Sequence, residues 1–97
     1  MHVITYKRIK EFSIKHPQSG VALGNWHQKM KRSAPGSIND IKRIFKNSDY
    51  IGNNRFIFNI CGNKYRLIAV IFLSTQIVLI RFIGTHEEYN RIDCRII

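Results

Sequence analysis

The stretch Arg55-Phe-Ile-Phe-Asn-Ile-Cys61, Gly62-Asn63, Lys64-Tyr-Arg-Leu-Ile-Ala-Val-Ile-Phe72 decides the fold. β-Branched and aromatic residues dominate both arms, and the Gly-Asn pair between them suits a tight turn, so the segment predicts a β-hairpin. Ser74-Thr75 offers a second turn, after which Gln76-Ile-Val-Leu-Ile-Arg-Phe-Ile83 repeats the same composition. Three consecutive antiparallel strands, a meander, follow from this pattern.

Outward from the meander the apolar period changes. Toward the N-terminus, His2 to Ile4 is apolar enough for a short strand. Tyr6 to His16 sets Ile9, Phe12 and Ile14 against Lys7, Arg8, Lys10 and Lys15, the spacing of an amphipathic helix ended by Pro17. From Gln18 to Arg32, Val21, Ala22, Trp26 and Met30 recur at helical spacing, interrupted by Gly20 and Gly24. Pro35-Gly36 breaks the chain. Ser37 then reads as an N-cap, with Asp40 in the first turn and Ile38, Ile41, Ile44 and Phe45 as a buried stripe. Asn47-Ser48-Asp49 reads as a loop before the strands. Beyond them, His86 to Arg91 predicts a short helix, followed by an apolar segment from Ile92 to Ile97. Helices first and a sheet second make an α+β domain, one unit over residues 1–97.

Charge is the informative total. Sixteen Lys and Arg against six Asp and Glu leave a formal +10. So large an excess on so small a body favours a polyanionic partner, with nucleic acid ahead of an anionic membrane or an acidic protein. The longest apolar run, Leu67 to Leu73, is far short of the roughly 20 residues that span a bilayer. The N-terminus lacks a signal-peptide pattern, so a cytoplasmic address is expected. Cys61 and Cys94 form neither a metal-binding pair nor a disulfide framework. No His-Glu-x-x-His, phosphate-loop or zinc-finger spacing occurs, and no metal or other cofactor is expected.

Strand pairing decides which polar residues meet, because side chains alternate between faces. With a two-residue loop at Gly62-Asn63, counting outward sets Asn59 opposite Arg66. A two-residue loop at Ser74-Thr75 sets Ile68 opposite Arg81 and Arg66 opposite Ile83. One face then collects Asn59, Arg66 and Arg81, with His86 and Tyr89 just beyond its edge, while Phe82 joins the apolar face under the helices. Arginine matches a phosphate bidentately and can stabilise charge developing on it. Histidine can move a proton near neutral pH. Together they suit cleavage of RNA, in which a ribose hydroxyl attacks its own phosphate. Each residue also has a purely structural reading. Arg81 could pair with Glu87 or Glu88, His86 could cap the last helix, Lys64 could be a solvated turn residue, and Tyr89, Trp26 and Tyr6 could be core.

Two stretches, Asn53-Asn-Arg-Phe-Ile-Phe-Asn-Ile-Cys-Gly-Asn-Lys-Tyr-Arg-Leu-Ile68 and Ile80-Arg-Phe-Ile-Gly-Thr-His-Glu-Glu-Tyr89, resemble the HigB family of RelE-like toxins. The opening Met-His-Val-Ile and the two central helices are similar to that family as well. The resemblance implies a RelE-like fold: a short N-terminal strand and helices on a small, curved, mainly antiparallel sheet, with a short C-terminal helix. It implies an mRNA interferase that inhibits translation by cutting mRNA on the ribosome. The implied partner is a HigA-like helix-turn-helix antitoxin, with operator DNA bound only through the toxin–antitoxin complex. By position, Arg66 would stabilise the scissile phosphate, His86 would be general acid or base, and Tyr89 would stack on or orient the nucleotide. Asn59, Lys64 and Arg81 would be supporting RNA contacts. Asn90 stands where these toxins usually carry Asp, and Pro35 where an aromatic is common. The competing reading is a noncatalytic RNA- or ribosome-binding module, or a weakened toxin acting as an antitoxin-bound corepressor.

Overall fold

The computed structural model describes all 97 residues, as four α-helices on a five-stranded mixed sheet. β1 (His2–Val3) leads into α1 (Tyr6–Lys15), a single 3-10 turn at Pro17–Ser19 and α2 (Gly20–Arg32). After α3 (Ile38–Ile44) come β2 (Ser48–Gly52), β3 (Arg55–Ile60), β4 (Tyr65–Phe72) and β5 (Ile77–Thr85), and α4 (His86–Asn90) closes the regular structure. The strand order is β1-β5-β4-β3-β2, with only β1 parallel to its neighbour. The α+β, mainly antiparallel architecture is the one the sequence pattern predicts.

Local chemistry sets the element ends. Ser37 accepts from the Asp40 backbone N–H, the N-cap that its position suggests. Thr85 and Glu88 form a reciprocal capping box at α4, each accepting the other's backbone N–H. Both meander loops are four residues long rather than two, with Ile60 opposite Tyr65 and Phe72 opposite Ile77. Because two and four have the same parity, the expected faces survive through β3, β4 and β5 as far as Ile80, and Asn59 does lie opposite Arg66.

One strand was unexpected. Ser48–Gly52, to which the sequence pattern assigned no strand, pairs antiparallel with β3 through a turn in which Asn53 and Asn54 both take positive φ. Asn tolerates that region better than other residues with side chains, which is why an Asn-Asn pair can make the hairpin. Four apolar assignments also change. Ile14 and Val21 are exposed and Ile38 and Tyr6 partly so, while Leu23, not among the residues expected inside, is fully buried.

The meander register breaks once. Ala69 pairs with Ile80 but Ile68 pairs with Phe82, so Arg81 is an extra residue in a β-bulge. From there on the alternation of β5 is inverted. Phe82 moves to the face of Ile68 and Arg66, Ile83 packs toward the core, and Arg66 lies opposite Gly84 rather than Ile83. Arg81 is therefore not opposite Ile68. It stands exposed in the bulge, with its carbonyl accepting from Arg8 Nη1.

The core under the helices joins Leu23, Trp26, Met30 and Ile41 to Phe56, Phe58, Leu67, Ala69, Ile71, Val78 and Ile80. The opposite face is not free. Ile57, Ile68 and Val70 are 7%, 0% and 8% exposed, although no residue of α1, α2 or α3 lies on their side. Their burial, together with that of Ile92, Cys94 and Ile97, points to residues 92–97 as the cover, since the Ile97 carbonyl accepts from Arg55, on the same face, at Nε (3.2 Å) and Nη2 (3.0 Å). The face that carries Asn59 and Arg66 is thus open only toward that end. It follows that Ile68→Ala should destabilise as much as Ile80→Ala, each by about 2–5 kcal/mol, in denaturant titrations. A cost below about 1 kcal/mol for Ile68→Ala would mean that the C-terminal segment does not seal this face.

Candidate active site

At the open end of the face, β3, β4, β5 and α4 converge. Asn59 is half-buried and directly opposite Arg66, which in turn faces Gly84. Two residues beyond Gly84 the chain enters α4. The capping box fixes the direction of that helix, so that Tyr89 comes over β4. The Arg66 guanidinium carbon lies 4.5 Å from the centre of the Tyr89 ring, a cation–π stack. Phe82, brought to this face by the bulge, tilts against Tyr89 with ring centres 6.5 Å apart.

Gly84 makes this packing possible. Its Cβ position is filled by the tip of the Phe82 ring, and any side chain there would collide with it. The glycine thus leaves the space opposite Arg66 to an aromatic ring.

Two polar atoms at the site have no partner within the protein: the Asn59 side-chain oxygen Oδ1 and the Arg66 Nε–H, both buried. Nor does any carboxylate lie within ion-pair distance of Arg66. A buried donor and a buried acceptor left unpaired each carry a desolvation cost, which a bound group offering both kinds of contact would relieve. The guanidinium is therefore oriented by its stack and unneutralised by the protein.

Burial pushes the Tyr89 phenol above its ordinary value, and neighbouring Cys94 adds to the rise while Arg66 opposes it. Near neutral pH the phenol is protonated and can donate a hydrogen bond. The Thr85 backbone N–H holds the Glu88 carboxyl below its ordinary value, against a smaller opposing effect of burial. Glu88 is thereby an ionised cap rather than a proton donor. His86 is the first residue of α4, half-exposed, and its ring makes no hydrogen bond within the protein.

Of the residues singled out in the sequence, the fold brings together Asn59, Arg66 and Tyr89, with His86 at the start of the same helix as Tyr89. Lys64 lies apart in the exposed Cys61–Lys64 turn, and Arg81 in the bulge. The structural alternatives resolve as well. Thr85, not His86, caps α4, and Glu87 pairs with Arg91 at 2.8 Å, not with Arg81. Phe82 and Gly84 escaped sequence reasoning because their placement depends on the bulge. The one available signal was a glycine ending a β-branched strand immediately before a Thr-x-x-Glu capping box. No group of three or more His, Cys, Asp or Glu lies close enough to hold a metal ion.

The model of the HigB toxin family, described as the RelE-like toxic component of a toxin–antitoxin system, matches residues 19–92, from the start of α2 past the end of α4. The chain belongs to the HigB toxin family. Membership makes it the toxic component of a pair whose other member is an antitoxin. Curated HigB relatives extend over most of the chain. The mRNA interferase toxin HigB of Escherichia coli K12 is 36% identical over 93 residues, covering 93% of this chain and 88% of that protein. The mRNA interferase HigB of Shigella flexneri has the same identity and coverage. A further mRNA interferase HigB, from Escherichia coli O6:H1, is 24% identical over 94 residues, covering 95% and 91%.

In this HigB-family chain, Gly84→Ala should displace the Phe82 ring and unseat the Arg66–Tyr89 stack. The loss would register as disappearance of ring-current shifts on the Arg66 side chain in NMR spectra, with destabilisation of about 1–3 kcal/mol. Intact shifts would show that the site does not depend on this packing. The Glu88 cap should be pH-dependent. Its carboxyl is depressed in the folded state, so its stabilisation is present above the unfolded carboxylate range and is lost as pH falls through the folded value. The stability gap between wild type and Glu88→Ala, followed by thermal melts across pH, should close in acid and reopen toward neutrality.

Proposed function

We propose that the chain is an mRNA interferase whose site is the Asn59, Arg66, His86 and Tyr89 cluster. The observation that carries the reading is Arg66: a guanidinium in the middle strand of the sheet, stacked on Tyr89 and without a protein carboxylate. Such a group matches the non-bridging oxygens of a phosphodiester and gains strength as charge builds on them.

RNA supplies its own nucleophile. The ribose 2′-hydroxyl adjacent to the scissile phosphate attacks phosphorus as its proton leaves to a base, and the phosphorus–5′-oxygen bond breaks as that oxygen takes up a proton. The products are a 2′,3′-cyclic phosphate and a 5′-hydroxyl end. Arg66 stabilises the charge on the phosphoryl oxygens, and His86 moves one of the two protons. Tyr89 holds the guanidinium plane and, as a neutral phenol, can donate to the substrate. Asn59 offers a polar contact beside Arg66. Lys64 and Arg81, farther out, add to the positive field that draws RNA in.

The wider setting belongs to the same reading: mRNA cut on the translating ribosome in the bacterial cytoplasm, a HigA-like helix-turn-helix antitoxin as partner, and operator DNA held through the complex of the two. A reconstituted translation system with mapping of mRNA 5′ ends tests the site. Arg66→Ala and His86→Ala should each lower the cutting rate by about 10²–10⁴ with the melting temperature preserved. Arg66→Lys should not restore activity, because an ammonium lacks the planar, bidentate fork. Wild-type cutting by both alanine variants would place the chemistry elsewhere.

A further inference from the structure

A second basic feature lies outside this cluster and leads into it. An open hollow of about 850 Å³ between α2 and α3 is lined by Lys29, Arg32 and Arg43 among mostly polar residues. A smaller one of about 200 Å³ runs beneath Trp26 and Lys46 to Asn59 on β3. Asn25 and Lys29 line both, so the two hollows adjoin, and together they make a basic groove between the α2–α3 connection and the end of β3.

The charges of this groove are unspent. Asn25, Lys29 and Arg32 stand at i, i+4 and i+7 on α2, one helical face spread over about 10 Å. The one carboxylate in the lining, Asp40, is taken by Arg43 and by the Gly36 N–H. Lys29, Arg32 and Lys46 have no carboxylate within ion-pair distance, and the Lys29 ammonium is held 5.4 Å over the Phe45 ring. Trp26 gives an independent sign of a missing partner. It is 4% exposed and lines the smaller hollow, yet its indole N–H has no acceptor in the protein. Asn59, at the inner end of the groove, has the unpaired Oδ1 already described.

We infer that this groove binds the single-stranded RNA substrate where it continues beyond the scissile phosphate, a reading that rests on the proposed cleavage site at Arg66. The chemistry favours a phosphodiester chain over an acidic protein segment. Spaced, unpaired cations with amide donors among them suit a backbone of regularly spaced anions and hydroxyls. A protein partner would be anchored by large apolar side chains in apolar pockets, and only two of the ten residues that line the larger hollow are hydrophobic. The groove reaches β3 at Asn59, the register partner of Arg66, so a strand that leaves it and rounds the open end of the sheet arrives at the Arg66 site on the other face.

Fluorescein-labelled 2′-O-methyl oligoribonucleotides, which cannot be cut, of four and twelve nucleotides test the groove by anisotropy. The wild type should bind the twelve-mer at least tenfold more tightly than the four-mer. Replacing Lys29, Arg32 and Lys46 together by Gln should erase that gain and leave four-mer binding unchanged. The salt dependence of twelve-mer binding should fall by about 2 in log–log slope, for three phosphate contacts at about 0.7 each. Replacing the Trp26 indole by the near-isosteric benzothiophene, which keeps the ring system and removes the N–H, should weaken the twelve-mer several-fold and spare the four-mer. A full length gain in the triple variant would overturn the inference, as would loss confined to binding of a polyglutamate peptide. Arg66→Gln, run in parallel, should weaken both lengths alike and stop cutting. If it still cuts mRNA while the triple variant loses the length gain, the groove stands and the cleavage assignment fails.

Discussion

Strand β4 is buried from Tyr65 to Ile71 with a single interruption, Arg66. A half-buried guanidinium in the central strand, at the one open end of a sheet otherwise covered on both faces, is a constraint, since a charge in low-dielectric surroundings is costly without compensation. No carboxylate supplies it. The compensation is a ring, and much of the site can be understood as what is needed to deliver that ring. Tyr89 must be carried back over the sheet by α4. The helix must start at a fixed angle, hence the capping box at Thr85 and Glu88. Phe82 must support the ring from the same face, hence the bulge, and Gly84 must leave room for Phe82. Residues 92–97 then seal the apolar remainder of that face.

This arrangement separates two tasks along one surface. Ile57, Ile68 and Val70, covered by the C-terminal segment, form a second small apolar layer that stiffens the sheet beneath the site. The strip left open holds the unpaired polar groups. A site with unsatisfied donors and acceptors is tolerable where the surrounding packing over-determines it. A layer on each face of β4 supplies that rigidity in a chain of only 97 residues.

Much of this was legible in the residues. The helical spacings, the Ser37 cap, the meander and the meeting of Asn59 with Arg66 follow from periodicity, turn chemistry and parity, all of them local signals. What escaped depends on distant parts of the chain. β2 is a strand because β3 offers an edge to Ser48-Asp-Tyr-Ile-Gly52, whose Ser, Asp and Gly have little strand preference of their own. Val21 and Leu23 exchange places because the direction in which α2 meets the sheet, rather than its apolar count, chooses the buried face. The cover over Ile68 could not be read from the strands, since an apolar outer face implies a covering without naming it. The family resemblance implied Arg66, His86 and Tyr89 as a set. The stacking that holds the first to the last needed the three-dimensional arrangement.

The extra residue at Arg81 works as a parity element. Side chains along a strand have only two addresses, and β5 changes address midway: Val78 and Ile80 look into the helical core, whereas Phe82 and Gly84 look toward Arg66. Without the bulge, one hydrogen-bonded ladder could not serve an apolar core at one end and an aromatic-backed polar site at the other. In sequence divergence this makes length more dangerous than identity. Within β5 a conservative exchange leaves both addresses intact, while the gain or loss of one residue between Ile80 and Gly84 would exchange them. The bulge should therefore drift in composition far more readily than in residue count.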